Sequence, residues 1–506
     1  MLAILDFGSQ YSQLIARKVR ALSTYTEIFP CSASLSKVLS LKPEGIILSG
    51  GPANVYHKNS PKADPRVFTQ GIPVLGICYG MQLMAAQQGG EVRHSDEREY
   101  GMTQITLRRD DPLFRGVPKR TVVWMSHQDR VTTLPKDYVT VASSANCPYA
   151  VIKHKGAPVY GMQFHPEVHH TEYGERILRN FVRTICRARP TWKIEAFVER
   201  TVQELREQIG TRRVVCGVSG GVDSTVLATL LHRAVDGQLR AIFVDNGLLR
   251  QNEAQTVIER FKRLKIQVQA IDASQHFLDK LRGIVHPEKK RRIIGREFIN
   301  VFFRELGPDD LLAQGTLYPD VIETVRTRGP SAKIKTHHNR VREVLQLIRE
   351  NRVVEPLREL FKDEVRKVGK ELGIPDEILW RQPFPGPGLA IRIIGSVTPE
   401  RLAMLRHADG IVVQEMKRAG LYKRIWQSFA VLLPIRSVGV MGDERTYEHA
   451  LALRAVESVD GMTADWVRLP YRLLERISNR IINEVKGINR LVYDVSSKPP
   501  STIEWE

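Results

Sequence analysis

The apolar run from Val214 to Val218 breaks into Ser219-Gly220-Gly221-Val222-Asp223-Ser224, and a helical pattern begins directly after it. No other stretch constrains the fold as much. A short valine-rich strand that turns through two glycines into a helix presents backbone N–H groups and a helix N-terminus to one small volume. That geometry binds phosphate. The G-x-x-x-x-G-K-[ST] spacing and its lysine are absent, so this is not a Walker A loop. A loop that grips phosphate without that lysine suits a different handling of ATP, in which pyrophosphate is held while the α-phosphate reacts.

At 506 residues the chain has room for about two to four domains, each with its own core. No apolar run approaches the ~18–20 residues of a membrane span, so no membrane partner is expected. The opening MLAILDFGSQ lacks a basic region and a cleavage site, and reads as a first strand. Cys31, Cys78, Cys147, Cys186 and Cys216 are odd in number, scattered, and never spaced C-x-x-C. This points to reduced thiols in the cytoplasm, with neither a disulfide framework nor a zinc site. The net charge of +19 would suit a nucleic-acid partner. It is spread along the chain, however, with only a short cluster at Lys289-Lys290-Arg291-Arg292, and no nucleic-acid module is recognisable. The expectation is therefore small anionic partners and no nucleic acid.

The first ~190 residues alternate apolar strands with amphipathic helices, the α/β pattern. LAILDFG, GIILSGGP and PVLGICYG read as buried strands ending in glycine turns, with YSQLIARKVRAL and MQLMAAQQ as helices. From Gly101 to Phe164 short β segments follow, MTQITLRR, TVVWMSH, YVTVASS and PVYGMQF, and the helix EYGERILRNFVRTIC closes the unit. The linker is expected at Ala188-Arg189-Pro190-Thr191-Trp192. KIEAFVERTVQELREQIG leads into a second unit, where VVCGV and RAIFVDN alternate with helices as in a parallel sheet with crossovers. Pro383-Phe384-Pro385-Gly386-Pro387-Gly388 reads as a boundary, stiff at each proline and permissive at each glycine. Beyond it, FAVLLPIRSVGVM and RLVYDVSS read as strands among helices.

Gly76-Ile77-Cys78-Tyr79-Gly80 lies where a strand becomes a helix. A residue at such an elbow is held out of the sheet, its neighbour's N–H is free for an oxyanion, and the helix N-terminus favours thiolate. A buried structural cysteine is the alternative. His165-Pro166-Glu167 ends the last β run of the same unit. Alone, His165 reads equally well as a loop histidine. With Cys78, it supplies a base and an orienting acid for thiolate attack on a carbonyl.

These residues, with Leu48-Ser49-Gly50-Gly51-Pro52, GICYGMQ at 76–82 and FHPE at 164–167, resemble the class I (triad) glutamine amidotransferase family. The resemblance implies Cys78, His165 and Glu167 as the triad and N–H groups of Gly51 and Tyr79 as the oxyanion hole. It implies Gln82, His127 and Asp129 as glutamine-holding groups, with glutamate and ammonia as products.

The loop at 219–224 resembles the ATP pyrophosphatase family, which cleaves ATP between the α and β phosphates. Gly220 and Gly221 let the backbone approach pyrophosphate, Ser219, Ser224 and Thr225 offer hydroxyls, and the N–H of Val222 opens the helix. Asp223 suits Mg²⁺, which takes oxygen ligands. Asp245 ends the next strand, where the adenosine part would sit in an open α/β sheet. Lys362 opens a later helix. It reads either as the positive charge the loop lacks or as a solvated lysine.

The two sites occur in one chain with ILDFGSQY, EYG, FVDNGLLR, AQGTLYPDVIET, KTHHN, FKDEVRK, FPGPGLAIR, RSVGVMGDERTY and a terminal SKPPSTIEWE. In this order they resemble the glutamine-hydrolysing GMP synthetase family over essentially the whole length. That resemblance implies three parts: a class I amidotransferase α/β domain at 1–190, a parallel-sheet ATP pyrophosphatase domain at 191–384, and an α+β dimerisation domain at 385–506. It implies a homodimer whose substrates are XMP, ATP and glutamine, with Mg²⁺, and in which ATP adenylylates XMP at O2 and ammonia displaces AMP. Arg291, Gln427, Asp443, Lys498 and Glu504 correspond to XMP-contacting positions. Lys498 lies in a tail that would close when substrate arrives.

One departure follows KTHHN, where many bacterial members continue V-G-G-L-P. Here Arg340-Val341-Arg342-Glu343-Val344-Leu345 has helical periodicity. Animal-type members are closer at this point but carry a C-terminal insertion that this chain lacks. The basic stretch 325–340, with Gly329-Pro330, is expected to be mobile without substrate. On residues alone, other readings are an RNA-modifying enzyme that adenylates a tRNA base, a different glutamine-dependent ligase, and a nucleotide sensor. The first usually needs a cysteine pair or an RNA-binding domain, and neither is evident. The last has no use for Cys78, His165 and Glu167.

Overall fold

The computed structural model describes residues 1–9, 11–321, 342–441, 444–458 and 463–506. They form two compact units, Met1–Phe197 and Val198–Glu506. The KTHHN segment, the stretch 325–340 and Asp443 lie outside the described residues.

The first unit is built on a nine-stranded sheet ordered Thr26–Pro30, Leu2–Asp6, Gly45–Leu48, Val74–Ile77, Val159–Met162, Val151–His154, Tyr138–Ser143, Glu91–Leu107 and Arg120–Thr133. The first five strands pair in parallel and the remainder antiparallel. The chemistry of each part follows its burial. Leu2–Asp6, Gly45–Leu48 and Val74–Ile77 are buried along their whole length, as a continuous apolar run requires when helices cover both faces. From Thr121 to His127, buried and half-buried residues alternate, the signature of a strand with one face on the core. Helix Ser12–Ala21 buries Ser12, Ile15, Ala16 and Val19, one stripe at helical spacing. The separate β segments expected from Gly101 onward include two that join into one long hairpin, Glu91–Leu107 with Arg120–Thr133.

In the second unit a five-stranded parallel sheet runs Val268–Asp272, Leu239–Asp245, Val214–Gly217, Leu311–Ala313, Val353–Val354. Val214–Gly217 is where the order reverses: the next two strands of the chain lie on one side of it and the last two on the other. Ligands bind outside the carboxyl end of a sheet at such a point. Helix Val222–Val235 starts directly above it. Helix Arg342–Arg349 carries the periodicity read over 340–345 as far as that stretch is described.

The C-terminal part holds helices Pro399–Arg418 and Tyr471–Glu484 against a second sheet. Its central strand Glu444–Glu457 pairs antiparallel with Gln427–Met441 and Asp465–Trp466, and parallel with Ile488–Tyr493. The register shifts between Leu432 and Arg436, around Pro434, which cannot donate to a ladder. One continuous apolar core runs from Val215 and Ile242 through Leu389 and Ile393 to Ile477 and Ile488. The proline–glycine segment expected as a boundary therefore leads into buried chain. Gly388 has φ +63°, and a Cβ there would stand 2.4 Å from the Leu248 carbonyl oxygen.

No helix among the described residues is long and apolar enough to cross a membrane.

Candidate active sites

At the end of Val74–Ile77 the chain turns into helix Tyr79–Gln87 through Cys78, whose φ is +50°. A side chain rarely tolerates this region, and the turn is fixed by what surrounds it. Cys78 N–H donates to the Met162 carbonyl at 2.7 Å and Gly80 N–H to that of Ser49 at 3.1 Å. A Cβ on Gly76 would lie 2.7 Å from the Gly80 backbone, and one on Gly80 would lie 2.4 Å from the Leu48 carbonyl oxygen. Both glycines of G-x-C-x-G are thus required by close backbone approach. The Cys78 sulfur projects from the turn, 3.7 Å from the Ser126 carbonyl and 3.7 Å from Gln163 Nε2.

His165 and that sulfur line the same cavity. Its Nδ1 is 2.7 Å from Glu167 Oε1, and both side chains are buried. The Tyr11 ring meets the imidazole edge-on at 5.1 Å, and Thr171 Oγ1 donates to the His165 carbonyl at 2.7 Å. Burial opposes a charged imidazole here, but the Glu167 carboxylate and the bonds to Glu167 and Cys78 outweigh it. The His165 pKa is held well above the ordinary histidine value.

The backbone N–H of Tyr79, in the first helical turn, has no helical acceptor. Its ring is turned away, with the hydroxyl donating to the Pro61 carbonyl at 2.6 Å, and burial pushes its pKa up to about 12. Gly51 must be glycine, since a Cβ would sit 2.7 Å from the Phe7 carbonyl oxygen.

A cavity of about 560 Å³ opens over the sulfur, lined by Gly51, Cys78, Gln82, His127, Asp129 and His165 among others. The expected glutamine-holding residues are therefore brought together. Gln82 Nε2 donates to the Asp129 carbonyl at 2.7 Å, and the Asp129 carboxylate lies 3.0 Å from the Tyr56 hydroxyl and 3.1 Å from His94 Nδ1. His127 is held from behind by Glu99, with Nε2 to Oε2 at 3.2 Å. Burial alone would raise the Glu99 carboxyl, but hydrogen bonds from His127 and Ser144 hold it below the ordinary range. Tyr11, Gln163 and Glu99 were not expected from sequence. Each lies in a segment quoted above, ILDFGSQY, PVYGMQF or EYG, but nothing local marks its role.

The second unit carries another strand–turn–helix corner. After Val214–Gly217, Gly220 adopts φ +68° and Gly221 caps helix Val222–Val235 from extended backbone. Ser224 Oγ accepts from Ser219 N–H at 3.1 Å, and the Ser219 and Ser224 hydroxyls lie 3.1 Å apart. Gly221 N–H donates to Ser219 Oγ at 3.3 Å, and Thr225 Oγ1 donates to the Gly221 carbonyl at 2.8 Å. The loop thus satisfies its own donors through long or shared bonds that an anion can replace.

Lys362 Nζ reaches the Asp223 carboxylate at Oδ2, which favours the loop-charge reading of that lysine. Asp223 Oδ1 is buried and has no hydrogen-bond partner among the described residues. A carboxylate oxygen in that state suits a hard divalent cation such as Mg²⁺. Asp245 stands at the end of its strand, with Oδ1 accepting from Gly247 N–H at 2.9 Å.

The remaining candidates gather around the C-terminal residues. Arg392, fully buried, donates to Glu504 at 3.0 Å and 2.8 Å, and Gln427 Nε2 donates to the same carboxylate at 2.7 Å. Lys290 Nζ reaches Glu506 Oε2 at 2.5 Å and two backbone carbonyls, and Arg291 donates to the Glu506 carbonyl. Lys498 pairs through its backbone with Ala464 at 2.7 and 3.0 Å. The sequence reading has this tail closing when substrate arrives. It is already tied down, because buried cations at 290 and 392 need its carboxylates. Asp443 lies outside the described residues.

Residues 3–185 match the glutamine amidotransferase class-I family, 194–293 the PP-loop domain, and 414–505 the GMP synthase C terminal domain. The chain is 53% identical over 508 residues to the "GMP synthase [glutamine-hydrolyzing]" of Aquifex aeolicus (strain VF5), covering 99% of each chain. It is 55% identical over 511 residues to the protein of the same name from Nitratidesulfovibrio vulgaris (strain DP4), covering 99% of this chain and 98% of the relative.

Proposed function

The chain belongs to the glutamine-hydrolysing GMP synthase family, and from that premise we propose how its residues divide the reaction. The overall activity is the glutamine-dependent conversion of XMP to GMP, carried by an amidotransferase domain, an ATP-binding PP-loop domain and a C-terminal domain with an antiparallel sheet.

Cys78 attacks the glutamine carboxamide carbon as thiolate. The N–H groups of Gly51 and Tyr79 receive the developing oxyanion. His165, kept protonated by Glu167, gives its proton to the departing ammonia, and water then releases glutamate from the thioester. Gln82, His127 and Asp129 hold the glutamine. The observation that carries this half is the strained φ of +50° at Cys78, which sets its sulfur in a cavity of about 560 Å³ that His165 also lines.

In the second unit, the loop from Ser219 through Gly220, Gly221, Val222, Asp223 and Ser224 to Thr225 holds the pyrophosphate part of ATP. Lys362 adds positive charge, and Asp245 lies beside the adenosine. Asp223 would hold Mg²⁺ through its unpaired oxygen, where the ion shields phosphate charge. O2 of XMP attacks the α-phosphate and pyrophosphate leaves. Ammonia then displaces AMP at C2, and AMP departs with the former O2. Arg291, Gln427, Asp443, Lys498 and Glu504 bind XMP.

The three domains are assigned to 1–190, 191–384 and 385–506. A homodimer is supported by apolar side chains left exposed on the C-terminal sheet, Ile435, Val438, Val440, Tyr447 and Val492. Five free thiols support a cytoplasmic location.

An assay with XMP carrying ¹⁸O at O2, ATP and glutamine tests the route. GMP, AMP, pyrophosphate and glutamate are expected, with the label in AMP. ADP, or label left in the nucleoside product, contradicts it.

A further inference from the structure

The back of the phosphate corner is held by groups that no motif in this chain identifies. Arg381, just beyond helix Asp376–Leu379, donates from Nη1 to the Gly220 carbonyl at 2.9 Å. Its Nη2 pairs with Glu253, the first residue of helix Glu253–Arg263. Both side chains are nearly buried, 11% and 6% exposed. Glu253 is itself fixed by the Arg250 N–H, which donates to Oε2 at 3.0 Å. One turn along the same helix, Val257 fills the space where a Cβ on Gly220 would lie, 2.3 Å away.

The peptide joining Gly220 to Gly221 is planar and trans, so its C=O and its N–H point in opposite directions. Fixing the oxygen on Arg381 turns the Gly221 N–H away from Arg381. In the ligand-free corner that N–H rests on Ser219 Oγ at 3.3 Å, a long bond that a phosphate oxygen can replace. A guanidinium can span two acceptors with a rigid fork, and an ammonium cannot reproduce that geometry.

We propose that Arg381, held by Glu253, is a positioning residue for the phosphate loop, orienting the Gly220–Gly221 peptide so that the Gly221 N–H meets the pyrophosphate of ATP. The inference rests on the reading above that this loop holds pyrophosphate. Arg381 also lines a cavity of about 640 Å³ with Glu253, Arg260 and Trp380, so the space left by its side chain is open to a small solute.

The test uses the full chain making GMP from ammonia, with ATP varied at saturating XMP and the unfolding midpoint recorded for every variant. Arg381→Lys is expected to lower kcat/KM for ATP at least ~10-fold and Arg381→Ala ~100-fold, while KM for XMP stays within about twofold. Methylguanidinium should restore at least ~5-fold of the activity of Arg381→Ala and none of that lost in Gly220→Ala. Arg381→Lys keeps the charge beside Glu253, so the test stands even where Arg381→Ala fails to fold.

Unchanged ATP kinetics in Arg381→Lys, an equal fall in kcat/KM for XMP, or absence of rescue in a folded Arg381→Ala would overturn the proposal. Ser219→Ala and Gly220→Ala separate the two readings. If they lose ATP use and the Arg381 variants do not, only this inference fails. If they too keep it, the pyrophosphate reading fails first.

Discussion

The corner at Cys78 and the corner at Gly220 have the same plan, a buried parallel strand that turns into a helix through one residue with positive φ. They differ in which residue takes the strain. In the first unit it is the reacting residue itself, at φ +50°, and a non-glycine there costs about 1–3 kcal/mol. In the second it is a glycine, at φ +68°. A nucleophile needs a side chain aimed out of the fold, so the strain must be borne. A phosphate cradle uses backbone N–H groups, so the side chain is omitted and the strain with it. The walls differ too. Gly76 and Gly80 are hemmed in by backbone, whereas Gly220 is hemmed in by the Val257 and Arg381 side chains. The first corner is set by main chain alone, and the second by groups that substitution can reach.

The sharpest way to break this comparison is at Asp223. Asp223→Asn should lower GMP formation by ~10³-fold or more with either glutamine or ammonia, since both need ATP cleavage, with little change in the unfolding midpoint. Activity with ammonia near that of the parent would remove Asp223 from the phosphate site.

In the first corner, Glu167→Gln should reduce glutaminase kcat on the order of 100-fold. Removing the carboxylate destabilises the imidazolium, so the His165 pKa should fall and the alkaline limb of the glutaminase pH profile should move toward lower pH. The stability that the raised pKa contributes is full below the ordinary histidine value and is lost as pH rises through the folded value. The variant should therefore lose its stability deficit relative to the parent at alkaline pH. An unmoved limb would mean that Glu167 does not set the charge of His165.

The two corners are also compared by adding one methyl group to each. Gly80→Ala drives a Cβ to 2.4 Å from a backbone oxygen and should cost about 2 kcal/mol or more. Gly221→Ala meets only the Ser219 hydroxyl, at 3.3 Å, and should cost under about 1 kcal/mol. Chemical denaturation checks both, and equal costs would erase the distinction. The smallest effect is expected at Ser224→Ala. Its hydroxyl is one of several donors, so a loss of about one hydrogen bond, roughly 1 kcal/mol or ~5-fold in KM for ATP, should result.

Legibility in the sequence followed the length scale of each feature. Both corners are encoded within five to seven residues, and the helices that follow them bury unbroken runs, Tyr79 to Ala85 and Thr225 to Leu231, so both were readable. Strands Thr26–Pro30 and Val268–Asp272 were not, because each is only partly buried and its apolar pattern is incomplete. Leu311–Ala313 and Val353–Val354 are too short for any period to register. The buried polar pairs were hidden for another reason. Arg381 meets Gly220 across 161 residues, and Arg392 meets Glu504 across 112. Neither member of such a pair has a local pattern that announces the other. The core that continues across the proline–glycine run was obscured in the same way, since its members lie far apart in the sequence.

The central claim is that one corner releases ammonia and the other activates the base that receives it. Cys78→Ala tests this most directly, with GMP formation measured against glutamine and against ammonium under the same conditions. The account predicts that glutamine-driven synthesis disappears while ammonium-driven synthesis stays within about twofold of the parent chain. Loss of both activities in a folded variant, or survival of glutamine-driven synthesis, would contradict it.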